Sequence, residues 1–229
     1  MLKVDHLNVY YGESHVVRSV SFDLAEGETI AIMGRNGMGK TTLLKSLIGI
    51  IPVKSGTIVL SGVDLTALES YERVARGLAY VPQGRMIFAH LTVEENILAG
   101  MENSPGKPVP DYVYSFFPVL REMKRRRGGN LSGGQQQQLA IARALVSEPK
   151  VLILDEPTEG IQPSIIKEIA RTLNRIKAER NLSIVVSEQV LSFTLELADR
   201  FIIVEKGAFV YEGARAKVDQ AKIHSYLTI

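Results

Sequence analysis

The stretch that decides the fold runs Thr29-Ile30-Ala31-Ile32-Met33-Gly34-Arg35-Asn36-Gly37-Met38-Gly39-Lys40-Thr41-Thr42. Thr29 to Met33 reads as a buried strand, and a helix begins near Lys40. Leu43, Leu44, Leu47 and Ile48 give that helix an apolar face, and Gly49 and Pro52 mark its end. Between them, Gly34 to Thr41 matches a spacing of glycine, four residues, then Gly-Lys-Thr. Glycines let successive backbone N–H groups turn inward as an anion nest. The following helix aims the positive end of its dipole at the same point. Lys40 supplies a cation for β- and γ-phosphates, and the Thr41 hydroxyl is placed to meet Mg²⁺. The expected phosphate cradle is therefore Gly34, Arg35, Asn36, Gly37, Met38, Gly39, Lys40, Thr41 and Thr42. The alternative is a plain glycine-rich turn, and the strand before it and helix after it argue against that.

Working outward, Val20, Phe22 and Leu24 alternate with Ser21 and Asp23, as in paired strands, and Glu26-Gly27-Glu28 is a turn. Thr57 to Leu60 reads as a strand leaving through Ser61-Gly62. From Arg85 to Pro149 the pattern is mostly helical, with one loose loop at Asn103 to Pro110. Val151 to Leu154 is a continuous apolar run, typical of a parallel strand covered on both faces. Pro163 can begin a helix with Ile165, Ile169, Leu173 and Ile176 as its buried stripe. Ile184 to Val186 and Phe201 to Val204 are further strands. Strands alternating with helices predict an α/β fold on a largely parallel sheet. The expected organisation is one domain over 1–229. Its core and β-subdomain take 1–84 and 150–229, and a helical subdomain takes 85–149.

Composition narrows the function. The chain has 229 residues, room for one substantial α/β core. No run of about 18 apolar residues is present, so no membrane-spanning helix is expected. The N-terminus, Met1 to Asp5, lacks the charged-then-apolar shape of a secretory signal. Without cysteines, disulfides, thiolate catalysis and cysteine metal sites are excluded. With 27 basic and 25 acidic residues, the net charge of +2 gives no support to a general nucleic-acid binder.

Two more motifs carry chemistry. Val151-Leu152-Ile153-Leu154-Asp155-Glu156 ends an apolar strand in two carboxylates, at the sheet edge where such folds bind ligands. After a phosphate loop, Asp155 is expected to hold Mg²⁺, directly or through water. Glu156 is expected to polarise the attacking water as general base. The third motif is Leu131-Ser132-Gly133-Gly134-Gln135, a serine and two glycines at the start of a helix, offering donors to a phosphate.

This third motif resembles the signature of ABC ATPases, and with the other two in order the resemblance covers essentially the whole chain. It implies a P-loop NTPase core with a mostly parallel sheet, an N-terminal antiparallel β-subdomain and an inserted helical subdomain. It implies ATP as substrate with Mg²⁺. Tyr11 is similar to the aromatic that stacks on adenine. Gln83, in Val81-Pro82-Gln83, is similar to the glutamine that touches Mg²⁺, and Arg85 to Asn96 then faces the membrane partner. Ser132, Gly133, Gly134 and Gln135 complete the site of a second ATPase subunit, identical or not. The two subunits sandwich two ATP molecules and drive integral membrane permease subunits. An extracytoplasmic substrate-binding protein serves the same system. The implied location is cytoplasmic, peripheral on the inner face of the cell membrane.

Two positions depart from the family pattern. Where a histidine usually contacts the γ-phosphate, the sequence reads Ser187-Glu188-Gln189. Gln189 can donate a hydrogen bond but cannot carry charge or shuttle a proton. Glu156 is thus the expected main base, with Gln189 beside it. The loop after Glu156, usually ending in aspartate, reads Glu159-Gly160-Ile161-Gln162-Pro163. These departures resemble the branch that serves branched-chain amino acid and urea uptake. Within it, Gly128 to Leu139 and Thr158 to Ile166 look most like the urea subfamily.

Other features support little. His6, His15, His90 and His224 lack metal-ligand spacing. Lys124 to Arg127 reads as a solvated helix end, and Gln135 to Gln138 as part of a helix. An ABC ATPase acting on nucleic acid would carry two cassettes or a long coiled-coil arm, and this chain has neither. A stand-alone kinase or GTPase would need an acceptor site or a guanine-reading motif, and none is found.

Overall fold

A computed structural model describes residues 1–101, 106–218 and 220–227. The chain opens with β1 (Leu2–Tyr11) and β2 (Ser14–Leu24), then runs through β3 (Thr29–Met33) into α1 (Lys40–Leu47). It returns as β4 (Ser55–Leu60) and β5 (Val63–Asp64) and crosses α2 (Ser70–Ala75) to β6 (Leu78–Val81). Four helices follow: α3 (Val93–Leu98), α4 (Asp111–Phe116), α5 (Pro118–Glu122) and α6 (Gly133–Leu145). Next come β7 (Val151–Asp155), α7 (Pro163–Arg180), β8 (Ser183–Glu188) and α8 (Leu191–Leu197). Strands β9 (Arg200–Glu205) and β10 (Ala208–Ala214) precede α9 (Gln220–Leu227).

Two sheets result. An antiparallel sheet has the order β2-β1-β4-β5. A six-stranded sheet has the order β10-β9-β3-β8-β7-β6, parallel throughout except for the β10 edge. The expected α/β class, with a mostly parallel core and an antiparallel N-terminal sheet, is what the chain adopts.

Side chains alternate along a strand, and the alternation divides the interior in two. Ala31, Met33, Leu152, Leu154, Ile184 and Val186 face the cluster that holds Leu139, Ile169, Leu173 and Phe193. Ile30, Ile32, Val151, Ile153 and Val185 face the cluster that holds α1 (Leu43, Leu44, Leu47) and the antiparallel sheet. Burial on both faces is why Val151 to Leu154 carries no polar residue.

Helix α1 is anchored at its C-terminal end by a residue without a sequence signal. Arg73 is buried, and its guanidinium donates to the Ser46, Leu47, Thr66 and Leu68 carbonyl oxygens at 2.8–2.9 Å. Two of those are carbonyls that the helix leaves without an intrahelical partner. Burial holds the Arg73 guanidinium below its ordinary pKa, with Glu69 and then Asp64 opposing the shift.

Four details extend or correct the sequence reading. Strand β6 has no forecast, because four residues between Gly77 and Pro82 are too short to show a period. Ile165 is half-buried, so the stripe of α7 is Ile169, Leu173 and Ile176. The strand read as Ile184 to Val186 extends through Glu188, which puts Ser187 and Glu188 inside the sheet. Lys124 to Arg127 lies beyond α5, and its backbone closes on α3. Val93 and Glu94 donate their N–H groups to the Arg126 and Lys124 carbonyls at 2.9 and 3.0 Å. Those are two of the N–H groups a helix start cannot satisfy by itself. Of the loop at Asn103 to Pro110, residues 103–105 lie outside the described residues, and 106–110 are irregular.

Candidate active site

The parallel register brings the site together. Asp155 pairs with Ser187, and Met33 pairs with Glu188, so β7, β8 and the loop after β3 end side by side at the carboxyl edge of the sheet.

The loop from Gly34 to Gly39 leads directly into α1. Gly39 is the N-cap residue at φ 100, and no side chain caps the helix. A Cβ at Gly39 would lie 3.0 Å from the Val16 carbonyl oxygen, and one at Gly34 would lie 2.4 Å from that of Val204. Both positions therefore exclude a side chain by space as well as by φ. The first-turn N–H groups of α1 have no side-chain partner, which leaves them for an anion.

Lys40 is buried, 4% exposed, and donates to the Gly34 and Arg35 carbonyls at 2.7 and 3.1 Å. Its Nζ lies 3.3 Å from Glu156 Oε1. The Thr41 hydroxyl donates to Asp155 Oδ1 at 3.1 Å. Asp155, also buried, accepts from the Ser187 hydroxyl at 2.6 Å and the Tyr80 hydroxyl at 3.0 Å. Burial and then the Asp155 carboxylate push the Tyr80 phenol well above its ordinary pKa, which keeps it a donor.

Glu156 is the hub. It sits at φ 46, a left-handed conformation that costs a non-glycine residue roughly 1–3 kcal/mol and concentrates at functional sites. Its backbone N–H donates to the Ser187 carbonyl (3.0 Å) and hydroxyl (3.2 Å), which fixes the turn. Gln83 Nε2 donates to its Oε2 at 3.3 Å and Gln189 Nε2 to its Oε1 at 3.1 Å. Gln189 Nε2 also reaches Asn36 Oδ1 at 2.6 Å. One carboxylate thus gathers Lys40, Gln83 and Gln189 from three different segments.

A cleft of about 300 Å³ opens here. It is lined by Asn36, Gly37, Gly39, Lys40, Thr41 and Thr42, together with Val16, Gln83 and Glu156. A larger groove of about 800 Å³ lies elsewhere, bordered by Tyr80, Met86, Phe88, Met101 and Arg143. It contains none of the sequence-assigned site residues, so chemistry and not size selects the smaller cleft.

Not every assigned residue converges. Tyr11 ends β1 and is 52% exposed, outside the residues that line the cleft. Met38 packs against the apolar cluster beneath the loop. Ser132 to Gln135 begin α6 and close on themselves. Ser132 Oγ accepts the Gln135 N–H, and Gln135 Oε1 accepts the Ser132 N–H at 2.9 Å. Their neighbours are Arg85, the loop after Glu156 and the first turn of α7. A Cβ at Gly133 would meet the Gly160 carbonyl oxygen at 3.4 Å, and one at Gly134 would meet Ile165 at 2.5 Å. Arg85 spans the gap, donating to the Glu159 carbonyl at 2.7 Å.

Three contributors carry no sequence assignment: Tyr80, Ser187 and Glu188. Tyr80 and Ser187 orient Asp155; Tyr80 interrupts an otherwise apolar strand, and Ser187 breaks the apolar run Ile184 to Val186. That interruption is the available signal, and only sheet register turns it into a contact.

The residues fit a nucleoside triphosphate with a hard divalent cation. The donors are backbone N–H groups and a buried lysine, which suit phosphate. The oxygens of Thr41, Asp155 and Gln83 suit a cation such as Mg²⁺. Among the described residues no group of three His, Asp or Glu side chains gathers around a point.

Fold and cleft together define a P-loop nucleotide hydrolase of the ATP-binding cassette type. The family model described as ABC transporter matches residues 17–159. The high-affinity branched-chain amino acid transport ATP-binding protein BraG of Pseudomonas aeruginosa is 39% identical over 213 residues, 92% of this chain and 91% of that one. The probable branched-chain amino acid transport ATP-binding protein LivF of Archaeoglobus fulgidus is 37% identical, covering 93% and 92%. Among solved structures, an ATP-binding cassette of an ABC transporter in its ADP conformation superposes with a TM-score of 0.84. It is 26% identical and covers 99% of this chain and 94% of its own. The chain belongs to the ABC transporter family, as an ATPase whose hydrolysis is coupled to transport.

Proposed function

We propose that the chain is the ATP-hydrolysing motor of an importer, and that its cleft is one half of a site completed by a second ATPase subunit. The observation that carries this is the gathering of Lys40, Gln83 and Gln189 on Glu156 beside the uncapped start of α1. Lys40, released from the Gly34 and Arg35 carbonyls, turns to the β- and γ-phosphates, while the backbone of Gly34 to Thr42 cradles them. Glu156 accepts a proton from the attacking water as general base. Gln189 and Gln83 orient its carboxylate, and Gln189, held by Asn36, donates a hydrogen bond and moves no proton. Thr41, Asp155 and Gln83 would hold Mg²⁺, which when bound neutralises charge developing on the phosphates. Tyr11 would stack on adenine. Ser132, Gly133, Gly134 and Gln135 stand apart from this cleft and would offer their donors to the nucleotide of the partner subunit.

The output surface is the segment from Arg85 to Asn96, next to the larger groove. Met86 and Phe88 are 69% and 50% exposed there, as a membrane permease would require of its docking site. Among the described residues no helix is long and apolar enough to cross a membrane. The chain would therefore sit on the cytoplasmic face through that contact, in a system with an extracytoplasmic substrate-binding protein.

For the solute, the two relatives named above, both described as branched-chain amino acid transport ATP-binding proteins, support a reading within that branch. Within it we favour urea, because Gly128 to Leu139 and Thr158 to Ile166 resemble the urea subfamily. The test is uptake of labelled urea and labelled leucine by cells carrying Lys40→Ala in this subunit. Loss of urea uptake alone upholds the reading. Loss of leucine uptake alone keeps the motor and moves the solute to branched-chain amino acids. No change in either removes the solute assignment.

A further inference from the structure

Glu188 is the last residue of β8, is 2% exposed, and lies next to the reacting groups without touching the cleft. Four donors converge on its carboxylate. The Thr158 backbone N–H reaches Oε1 at 3.1 Å, and the Thr158 hydroxyl donates to the same oxygen. The Gln189 and Val190 N–H groups reach Oε2 at 2.6 and 3.0 Å. Thr158 is two residues beyond Glu156, and Gln189 is the residue whose amide holds the Glu156 carboxylate. One buried carboxylate therefore ties together the two loops that carry the base and its orienting amide.

We propose that Glu188 is a positioning residue for hydrolysis, a strut that fixes the Glu156-Pro157-Thr158 turn against the Gln189 loop. This rests on the reading of Glu156 as the base. The chemistry calls for a carboxylate at this point. Three of the four groups on its oxygens are backbone N–H donors and the fourth is the Thr158 hydroxyl, and an ionised carboxylate is the side chain that accepts at both ends and donates at neither. An amide of the same shape would set its NH₂ against the Gln189 and Val190 N–H groups, or against the Thr158 N–H with only the Thr158 hydroxyl able to turn and accept. At least one backbone donor would lose its acceptor whichever way the amide turned. The strut also accounts for the short path between the loops: the Glu156 N–H donates to Ser187, the residue before Glu188. Glu188 makes none of the contacts assigned to the nucleotide, so its removal should alter the geometry of the chemical step and leave ground-state binding intact.

The test is steady-state ATP hydrolysis by the purified chain and four variants, Glu188→Gln, Thr158→Val, Gln189→Ala and Glu188→Gln/Gln189→Ala, with ADP binding as the check on folding. Glu188→Gln should lower kcat about 10–100-fold, the usual loss when a supporting hydrogen-bond partner is removed, with KM for ATP unchanged. Thr158→Val, which removes one of the four donors, should lower kcat less, again at constant KM, and serves if Glu188→Gln does not bind ADP. The double variant should lose less than the product of its single losses, because Glu188 acts in part through Gln189. Unchanged kcat in both Glu188→Gln and Thr158→Val overturns the strut, as does a raised KM at constant kcat in either, or strictly multiplicative losses in the double variant. Lys40→Ala separates the two levels. If it is inactive while Glu188→Gln matches the unaltered chain, the strut alone fails. If it retains full turnover, the active-site reading fails and takes the strut with it.

Discussion

Two helices start at glycine-rich segments, and their N-termini differ in one physical respect. Helix α1 starts at Gly39 with no side-chain cap, its lysine bent back onto the loop carbonyls and its threonine held by a buried aspartate. Helix α6 starts at Ser132 with a reciprocal cap between Ser132 and Gln135. The first terminus is built to receive an anion from outside, within a set of groups that this chain itself supplies. The second is satisfied alone and lies by the loop after Glu156, away from the cleft. A single chain therefore brings Lys40, Gln83 and Gln189 together on Glu156 at the start of α1. It presents Ser132 to Gln135 as a separate surface, which is the arrangement the proposed two-subunit sandwich needs.

The largest effect should come from breaking the α1 end. Lys40→Ala removes the buried cation and should cut ATP turnover by roughly 10²–10³-fold, as loss of one preorganised charge stabiliser does. A smaller loss, measured by phosphate release, would mean the backbone cradle suffices. Next is the opposite end of α1, which Arg73 pins. Arg73→Ala takes the donor from the Leu47 carbonyl, leaves the Ser46 carbonyl only the Gly49 N–H, and should cost roughly 3 kcal/mol of stability. Thermal unfolding checks this, with a midpoint lower by about 6–12 °C expected for a chain of this size. An unshifted midpoint would show that α1 holds its position without that anchor.

Tyr11→Ala sharpens the comparison on the base side. Base–aromatic stacking is worth about 1–3 kcal/mol, so KM for ATP should rise with kcat intact. An unchanged KM would remove Tyr11 from the site and leave it an exposed strand end. The smallest effect belongs to α6. Ser132→Ala deletes the cap and should cost about 1 kcal/mol of stability. ATP binding to the single chain should be untouched, while turnover falls because the partner's nucleotide loses a donor. A loss of binding by the isolated chain would place Ser132 in its own cleft, against the account.

Much of the site was legible in the sequence. Gly34 to Thr42 and Val151 to Glu156 announce themselves because contiguous residues encode both the element and its chemistry. Gln83 and Gln189 were found through family resemblance, and both reach Glu156. Tyr80, Ser187, Glu188 and Arg73 were not found, for a common reason. Each is a polar residue with a partner elsewhere in the chain, joined by sheet register or helix packing that no local period records. The run Lys124 to Arg127 is the solvated end beyond α5 that its side chains suggest, and what no local pattern shows is that its backbone carbonyls accept from the start of α3. The cap at α6 shows the same limit. The Ser132 and Gln135 spacing is a capping box as well as a signature, and the structure displays the cap.

The central claim, that two chains complete each other's sites, has a direct measurement: the mass in solution of Glu156→Gln with and without ATP, by light scattering on a sizing column. The substitution keeps the shape of the hub but removes its base, so bound ATP should persist. The account predicts a single-chain mass without nucleotide and twice that mass with ATP. It also predicts that Ser132→Arg in the same background prevents the doubling. A single-chain mass at saturating ATP, with ATP shown to be bound, would contradict it.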